Sequence, residues 1–402
     1  MLGSDQTLSC FEPAQLNGLT LKNRLIKAGT FENKTPGGVP GEAMREFHGR
    51  IADGGIGMTT LGYCAVENNG RLNANMMYMH EGIREPLTAL IDDLHARGTK
   101  VSGQMGHCGA FSKNTEATVK RPKGPVKGIN LLGMPHGMFF NDAMTHDDID
   151  HFVQAFHDAA VFMKSVGFDA LEIHFGHGYG LCQFISPKTN TRKDEYGGSL
   201  ENRMRLPLRV LAAVREAVGP EFPILGKISM SEGVRGGISW DDSVEISKML
   251  DAGGIDGIIT SGGTSTMNPM LMFRGKSIQP ALLKTEKNWL MRLVLKFLGK
   301  KMFREMPYQE LYFLEQAKRI REAVSCNVVY VGGASTRDSF DRLMKEGFEF
   351  VQLGRGLLSD SDLANGAAAD TAYKSRCIHC NECVGTIDSP GGIHCPRFNT
   401  AA

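Results

Sequence analysis

The stretch HFGHGYGLCQFISPKTNTRKDEYGGSLENR, from His174 to Arg203, directly follows an apolar run at Phe168–Ile173. The apolar run predicts a buried strand that ends beside His174. Two imidazoles three residues apart, those of His174 and His177, then share this strand end with the phenol of Tyr179. Such groups can polarise a substrate oxygen and protonate the neighbouring carbon. A pair of core histidines with a packing tyrosine is the alternative, but the crowding of three such groups favours a catalytic edge.

Short apolar or β-branched runs like this one recur along the chain, and patterns typical of helices separate them. Asp147–Val166 and Glu201–Val218, for example, each have acidic residues in the first turn or an apolar face at helical spacing, and a glycine follows. Alternating strands and helices indicate parallel pairing. Eight strands favour a closed (β/α)₈ TIM barrel of the α/β class over a doubly wound open sheet. The predicted strands begin near Leu25, Ile56, Lys100, Ala170, Ile224, Gly257, Val328 and Phe350.

Two intervals are too long for one helix and its loops. The first, residues 111–147 after strand 3, is polar and contains glycine and proline, which favours an insertion over the barrel mouth. The second, residues 264–310, follows strand 6. We therefore expect a barrel domain over residues 1–358 and a cysteine-rich segment over residues 359–402 that packs on it.

The second insertion contains an amphipathic basic helix near residues 287–304. Its cations recur every four residues, at Arg292, Lys296, Lys300 and Arg304. An apolar stripe has the same spacing, at Trp289, Leu293 and Phe297. We interpret the cations as a solvated face and expect the apolar side to pack on the barrel. A lid for an anionic substrate, a partner contact and an interfacial membrane helix are the alternatives.

Composition limits the classes of function. In 402 residues, 45 Lys and Arg balance 44 Asp and Glu, so no overall field favours nucleic acid or an acidic membrane. The hydrophobic fraction of 42% is ample for a large core, and no apolar run reaches a membrane-spanning length. The first residues lack the basic-then-apolar order of a secretory signal, so we expect a cytoplasmic protein that acts on a small molecule. In a reducing compartment the nine cysteines suit metal ligation better than disulfides.

Glycines follow both of the last two predicted strands, at Gly332-Gly333 and at Gly354, where Arg355 comes next. In barrels the loops after strands seven and eight commonly bind a phosphate through backbone N–H groups. Arginine can add a bidentate charge-assisted contact. The pattern predicts a phosphorylated ligand, although turns alone would also require such glycines.

Several of these motifs resemble the old yellow enzyme family of FMN-dependent reductases, and most closely its iron–sulfur branch, which contains 2,4-dienoyl-CoA reductase and trimethylamine dehydrogenase. The resemblance is carried by LKNRLIKAG at Leu21–Gly29, GQMGH at Gly103–His107, and the His174–Arg203 motif. It extends over about residues 10–397.

The resemblance implies a barrel that holds FMN at its C-terminal mouth. Gln104 would hydrogen-bond the pyrimidine edge of the flavin, and Lys227 would stabilise negative charge on the reduced ring. A buried ion pair with Glu172 is the structural alternative for Lys227. The full implied set is Ala28, Gly29 and Thr30 against the ring, Gln104 and Lys227 at its edge, and Gly332, Gly333, Gly354 and Arg355 at the phosphate.

Four departures from the family pattern argue against transferring a particular substrate. Gly29-Thr30 replaces the Pro-Met that often follows the alanine of the first strand. Lys227 stands where the family usually has arginine, a change that keeps the charge but loses the fork geometry. Ala110 replaces an arginine of the third-strand motif, and Gly180 follows Tyr179 in place of leucine. No particular substrate is therefore carried over from the family.

Four cysteines near the C-terminus have the spacing C-x2-C-x2-C-x11-C. Four thiolates so arranged could bind a [4Fe–4S] cluster or tetrahedral zinc, or could be an empty relic. The iron–sulfur branch has a closely similar array, which favours the cluster and implies transfer of electrons to a second centre. The predicted ligands are Cys377, Cys380, Cys383 and Cys395.

We therefore expect an enzyme that transfers hydride from NAD(P)H through FMN to an activated C=C bond, with His174, His177 and Tyr179 as its catalytic residues. A flavin dehydrogenase or demethylase that passes electrons through the cluster to an external acceptor is a second hypothesis. A flavin-free barrel lyase or isomerase is a third, and a non-catalytic binding module is a fourth. The physiological substrate, the choice between NADH and NADPH, and homo-oligomerisation stay open.

Overall fold

A computed structural model of the chain describes residues 8–398. Eight parallel strands pair in chain order and close into a barrel, in which β8 pairs with β1 and β4 lies between β3 and β5. The predicted (β/α)₈ barrel is thereby confirmed. Its strands are β1 (Leu25–Lys27), β2 (Met58–Ala65), β3 (Lys100–Gly106), β4 (Ala170–His174), β5 (Ile224–Ser229), β6 (Gly257–Ser261), β7 (Asn327–Tyr330) and β8 (Phe350–Leu353).

A short antiparallel hairpin, Ala14–Leu16 with Leu19–Leu21, closes the N-terminal end of the barrel. Leu16 and Leu21 are fully buried, and they pack in one cluster with inward-facing residues of the strands. Because this end is filled by apolar side chains, the site is expected at the C-terminal ends of the strands.

Helices surround the barrel, and local sequence signals set their ends. Thr145 caps α3 in a capping box with Asp148, while Ser199 caps α5, which stops at Gly219 with a φ of 82°. The helices are α1 (Glu42–Asp53), α2 (Arg84–Ala96), α3 (His146–Ser165), α4 (Gly180–Ile185), α5 (Leu200–Val218), α6 (Trp240–Ala252), α7 (Gln279–Thr285), α8 (Trp289–Met302), α9 (Leu314–Arg321), α10 (Arg337–Lys345), α11 (Arg355–Ser359) and α12 (Leu363–Ala369). No helix in the described part of the chain is long and apolar enough to cross a membrane.

The two long intervals are insertions after β3 and β6. The first contains a small three-stranded sheet of Lys123–Gly124, Gly128–Ile129 and Phe140–Ala143. The second contains α7 and α8.

The expectation that the apolar stripe of α8 packs on the barrel is wrong. Leu295 and Gly299 lie on the buried side of α8, because the side chain of Gln279 in α7 donates a hydrogen bond to the Leu295 carbonyl at 2.7 Å and fills the space beside Gly299. The stripe that contains Trp289 and Phe297 therefore faces outward. Trp289 exposes 72% of its surface to solvent, and Phe297 exposes 73%.

The C-terminal cysteine segment packs against the mouth of the barrel. Asn33, in the loop after β1, donates a hydrogen bond to the Ile387 carbonyl at 2.7 Å. Lys113 of the first insertion pairs with Asp388 at 3.0 Å, and the turn Glu382–Thr386 contacts α7 of the second. The segment and both insertions thus meet at one end of the barrel.

Candidate active site

Two neighbouring imidazoles lie where β4 passes into the loop before α4. The Nε2 atom of His174 and the Nδ1 atom of His177 are 3.2 Å apart. The backbone N–H of Gly176 points at His174 Nδ1 at 3.2 Å, so this nitrogen accepts and the proton of His174 is on Nε2. It follows that His174 donates to His177 Nδ1 and that His177 carries its own proton on Nε2.

Two serines fix His177. The Oγ atom of Ser229 accepts a hydrogen bond from the backbone N–H of His177 at 2.8 Å. The Oγ atom of Ser261 lies 2.8 Å from His177 Nε2 and accepts a hydrogen bond from its N–H group. Neither serine was among the predicted site residues. The available signal was their position, since each is the last residue of its strand and therefore lies at the barrel mouth.

The electrostatic environment keeps all three groups neutral. Burial, assisted by His177 and Lys227, lowers the pKa of His174 well below its usual value. Burial and then Lys227 lower the pKa of His177 to about 3. Burial and the neighbouring Cys108 raise the pKa of Tyr179, so its phenol keeps its proton. The site therefore offers neutral hydrogen-bond donors rather than cations.

Because these histidines are buried in the neutral form, we expect the free energy of unfolding to decrease as the pH falls from about 7 to about 5. Below the unfolded pKa of about 6.5 the unfolded chain binds protons that the folded chain does not, which costs about 2 kcal/mol per histidine at about pH 5. Denaturant unfolding of the wild type and of His177→Asn at both pH values checks this. An unchanged pH dependence in the variant would contradict it.

Tyr179 belongs to a buried aromatic group. Its ring centroid lies 4.8 Å from that of His174, 5.2 Å from Phe111, and 5.1 Å from Tyr63, on which it stacks. Tyr63, near the end of β2, was not predicted as a site residue. Its hydroxyl is buried and has no hydrogen-bond partner among the described residues. A buried phenol without a partner, beside a predicted proton donor, adds a group that can contact a substrate.

The predicted flavin residues of β1 lie close to Gln104. Ala28 donates its N–H to the Leu353 carbonyl at 2.8 Å, which places the β1 loop beside the end of β8. A Cβ atom at Gly62 would lie 2.7 Å from Gly29 Cα, and one at Gly29 would lie 2.9 Å from the Gln104 side chain. Only glycine fits at these close approaches.

The side chains of Gln104 and Lys227 meet at one carboxylate. Glu172 in β4 is fully buried and accepts from Lys227 Nζ at 2.6 Å, from Gln104 Nε2 at 2.5 Å and from Gln352 Nε2 at 2.7 Å. The structural alternative for Lys227, an ion pair with Glu172, is therefore present. The Oε1 atom of Gln352 is buried and lacks a partner among the described residues. Side-chain amides and an ammonium group together fit the alternating donors and acceptors of a flavin pyrimidine edge.

The predicted phosphate glycines have two environments. Gly332 and Gly333 have φ of 145° and 79°, and a Cβ atom at Gly333 would lie 2.7 Å from the Tyr312 ring. Close packing by itself thus requires glycine there. Gly354 differs, because a Cβ atom there would meet only the Thr30 side chain, at 3.9 Å. The open space at the end of β8 adjoins the predicted flavin residues of β1.

Arg355 connects the predicted phosphate site to the cysteine segment. It donates hydrogen bonds to the Arg274 carbonyl at 2.8 Å and to the side-chain oxygen of Asn381, which is itself buried. Asn381 lies next to Cys380 and donates to two backbone carbonyls of the second insertion. Since guanidinium has five N–H donors, Arg355 keeps donors for an anion.

The four cysteines of the C-terminal motif share one neighbourhood. Burial raises the pKa of Cys377, and its neighbours Cys395 and Cys380 raise it further, while Arg355 lowers it. Burial raises the pKa of Cys383 to about 12. Among the described residues, no three of these sulfurs lie within 4.8 Å of one another. One tetrahedral zinc, with Zn–S of about 2.3 Å, would hold them about 3.8 Å apart. A single zinc would therefore need these sulfurs closer together, whereas a [4Fe–4S] cluster takes one thiolate per iron.

Comparisons with known proteins identify the family of the chain. The sequence pattern of the NADH:flavin oxidoreductase / NADH oxidase family matches residues 9–267. The chain is 38% identical over 382 residues to 4,4'-dithiodibutanoate disulfide reductase of Rhodococcus erythropolis, across 95% of this chain and 93% of that protein. It is 28% identical over 383 residues to NADH oxidase of Thermoanaerobacter brockii, across 93% of this chain and 53% of that protein.

Among solved structures, 2-naphthoyl-CoA reductase in complex with 2-naphthoyl-CoA is similar in fold, with a TM-score of 0.80 and 22% identity, over 96% of this chain and 56% of that one. The chain thus spans nearly the whole Rhodococcus relative but about half of the other two. The match to the family pattern covers more than half of the chain. This chain belongs to the NADH:flavin oxidoreductase / NADH oxidase family, and it is a flavin-dependent NAD(P)H oxidoreductase of the old yellow enzyme type.

Proposed function

We propose that the enzyme reduces the activated C=C bond of an enone or enoyl thioester with hydride from NAD(P)H. The observation that carries this proposal is the buried group of neutral donors formed by His174, His177 and Tyr179. Bound FMN would accept hydride from the nicotinamide and supply it to the substrate. The residues that would hold the flavin are Ala28, Gly29, Thr30, Gln104 and Lys227 at the ring, and Gly332, Gly333, Gly354 and Arg355 at the phosphate.

The side chains would stabilise charge and supply a proton. Hydride adds to the β-carbon, negative charge develops on the carbonyl oxygen, and a proton added to the α-carbon completes the saturated product. His174 and His177 would donate to that oxygen, because their N–H groups, now used within the His174–His177–Ser261 chain, can turn to a stronger acceptor. Tyr179 would protonate the α-carbon.

The test is to reduce the flavin with NADPH or NADH without oxygen and then to add a cyclic enone. Rapid reoxidation of the flavin with formation of one equivalent of saturated ketone is expected. A flavin that the enone leaves reduced, although another acceptor reoxidises it, would contradict the proposal.

Disulfide reduction is a second candidate, favoured by the similarity to the Rhodococcus relative over almost the full length of both chains. Here hydride and one proton from the enzyme would convert a disulfide into two thiols. The S–S bond breaks, one sulfur takes the hydride, and the other leaves as a thiolate that takes the proton. Tyr179 would be the acid. Reoxidation of the reduced flavin by a dicarboxylate disulfide, with release of two thiols, would support this candidate.

We expect Cys108→Ser to keep any disulfide reductase activity within about twofold of the wild type. Cys108 is fully buried beside Tyr179, and burial raises its pKa well above the usual value. The thiol therefore stays protonated and is a poor nucleophile for disulfide exchange. Steady-state rates with the same disulfide check this. Loss of disulfide reduction with retention of enone reduction would show that Cys108 takes part.

We propose that Cys377, Cys380, Cys383 and Cys395 bind a [4Fe–4S] cluster, which would accept and release single electrons. Protein purified without oxygen should contain iron and inorganic sulfide, and Cys383→Ser should lose most of both. Cys326→Ser, outside the motif, is the matched control and should keep them. Zinc without sulfide would contradict the proposal. Substrate-dependent reduction of the cluster would favour the dehydrogenase hypothesis with an external electron acceptor.

A further inference from the structure

Helix α8 presents large apolar side chains to solvent. Trp289, Leu293 and Phe297 follow one another at four-residue spacing. The exposed fractions of their surfaces are 72%, 42% and 73%, respectively. Leu298 and Met302 on the same helix are also exposed. Contiguous exposed apolar surface of this kind marks an interaction site more often than an ordinary solvated helix.

Cations lie beside the apolar stripe without opposing charge. Residues 287–304 include no Asp or Glu, and the whole chain has a net charge of only +1, so positive charge is concentrated here. In the described part of the chain none of these cations is within 4.0 Å of a carboxylate. They are Lys287, Arg292, Lys296, Lys300, Lys301 and Arg304.

The first insertion offers a second exposed apolar surface of the same character. Residues 125–141 include no Asp or Glu, and they make up all but the last two residues of the hairpin formed by the strands Gly128–Ile129 and Phe140–Ala143. Both insertions begin at the C-terminal ends of barrel strands, and both contact the cysteine segment. The exposed apolar side chains of this hairpin are Ile129, Leu131, Leu132, Met134, Phe139 and Phe140.

We infer that α8, assisted by this hairpin, binds the surface of an anionic lipid bilayer. A helix that lies in a membrane interface inserts Trp, Phe and Leu while neighbouring Lys and Arg reach the headgroups, which is the arrangement on the exposed side of α8. A second copy of the chain fits less well. A symmetric dimer places the same patch against itself, so the cations of one copy would face only the cations of the other, without a carboxylate from residues 287–304 between them.

The test uses the full-length protein with its flavin and vesicles of phosphatidylcholine, with or without phosphatidylglycerol. Binding is expected only with phosphatidylglycerol, and added salt should weaken it. The chain has two tryptophans, so in a Trp240→Phe background the emission of Trp289 should shift to shorter wavelength on binding. Lys296→Gln/Lys300→Gln should weaken partitioning about fivefold per charge removed, and Phe297→Ser roughly tenfold or more.

Lys248→Gln/Lys345→Gln, which removes two exposed lysines from α6 and α10, is the matched control and should bind like the wild type. The flavin content of each variant shows whether it has folded. If Phe297→Ser fails to fold, the comparison of Lys296→Gln/Lys300→Gln with the control still tests the inference. Equal binding to both kinds of vesicle, or equal loss in the control, would overturn the inference. So would an absence of vesicle binding together with a dimer, seen by light scattering, that Phe297→Ser abolishes.

Discussion

Replacing Tyr179 by phenylalanine should slow enone reduction by about 10²–10⁴-fold and leave flavin reduction by NAD(P)H at its original rate. The substitution removes only a hydroxyl, because phenylalanine keeps the ring that stacks on Tyr63 and packs against Phe111. Burial raises the pKa of Tyr179, so the phenol is protonated and can act as the acid of the second half-reaction. The first half-reaction needs no such acid. Rapid mixing without oxygen, which measures the two half-reactions separately, checks the prediction.

Tyr63→Phe is the matched control for this experiment. It removes the hydroxyl of the stacked neighbour, which is buried and has no hydrogen-bond partner among the described residues. We expect a smaller effect than that of Tyr179→Phe. A larger loss of enone reduction in Tyr63→Phe would show that Tyr63, and not Tyr179, supplies the proton. Unchanged rates of both half-reactions in Tyr179→Phe would exclude the proposed role of Tyr179.

Much of the fold could be predicted from sequence because barrel strands are buried on both faces. Such strands appear as short apolar runs bounded by turn residues, and all eight predicted runs contain or adjoin an observed strand. The helix predicted over Asp147–Val166 is observed over His146–Ser165, since its capping box and following glycine are local signals. Local patterns also brought His174, His177 and Tyr179 together, because they belong to one segment.

The contacts that complete the site depend on pairing between distant strands. His177 meets Ser261 across 84 residues and Ser229 across 52, while Tyr63 reaches Tyr179 from β2. Serine and tyrosine are common residue types, and a position near a strand end indicates only that these residues lie at the barrel mouth, not which side chains they contact. Only the register of the closed barrel, which the pattern of apolar runs does not determine, places them at the same depth.

The sequence also left two roles open for Lys227, as a cation beside the flavin and as the partner of Glu172. The structure contains the ion pair, and the roles are compatible, because the same carboxylate also accepts from Gln104, the other predicted ligand of the pyrimidine edge. Glu172 thus contacts both residues that are predicted to bind the flavin, and its buried carboxylate requires a cation beside it. The two roles can be separated by experiment.

We expect Lys227→Met to lower the free energy of unfolding by about 3–5 kcal/mol, because it leaves the fully buried Glu172 carboxylate without its cation. The double variant Lys227→Met/Glu172→Gln should recover most of this loss, since no charge then stays buried. Denaturant unfolding of the wild type, the single variant and the double variant measures the difference. Equal instability of the two variants would identify lost packing, and not the unpaired charge, as the cause.

Catalysis should not recover together with stability. Neither variant has a cation to stabilise negative charge on the reduced flavin, so flavin reduction by NAD(P)H should stay slow in the double variant even though its stability returns. Lys227→Arg, the residue usual in the family, keeps the charge and should retain more of the rate than either. If the double variant recovered both stability and rate, Lys227 would serve only as the partner of Glu172, and the charge that favours the reduced flavin would have to come from elsewhere in the barrel.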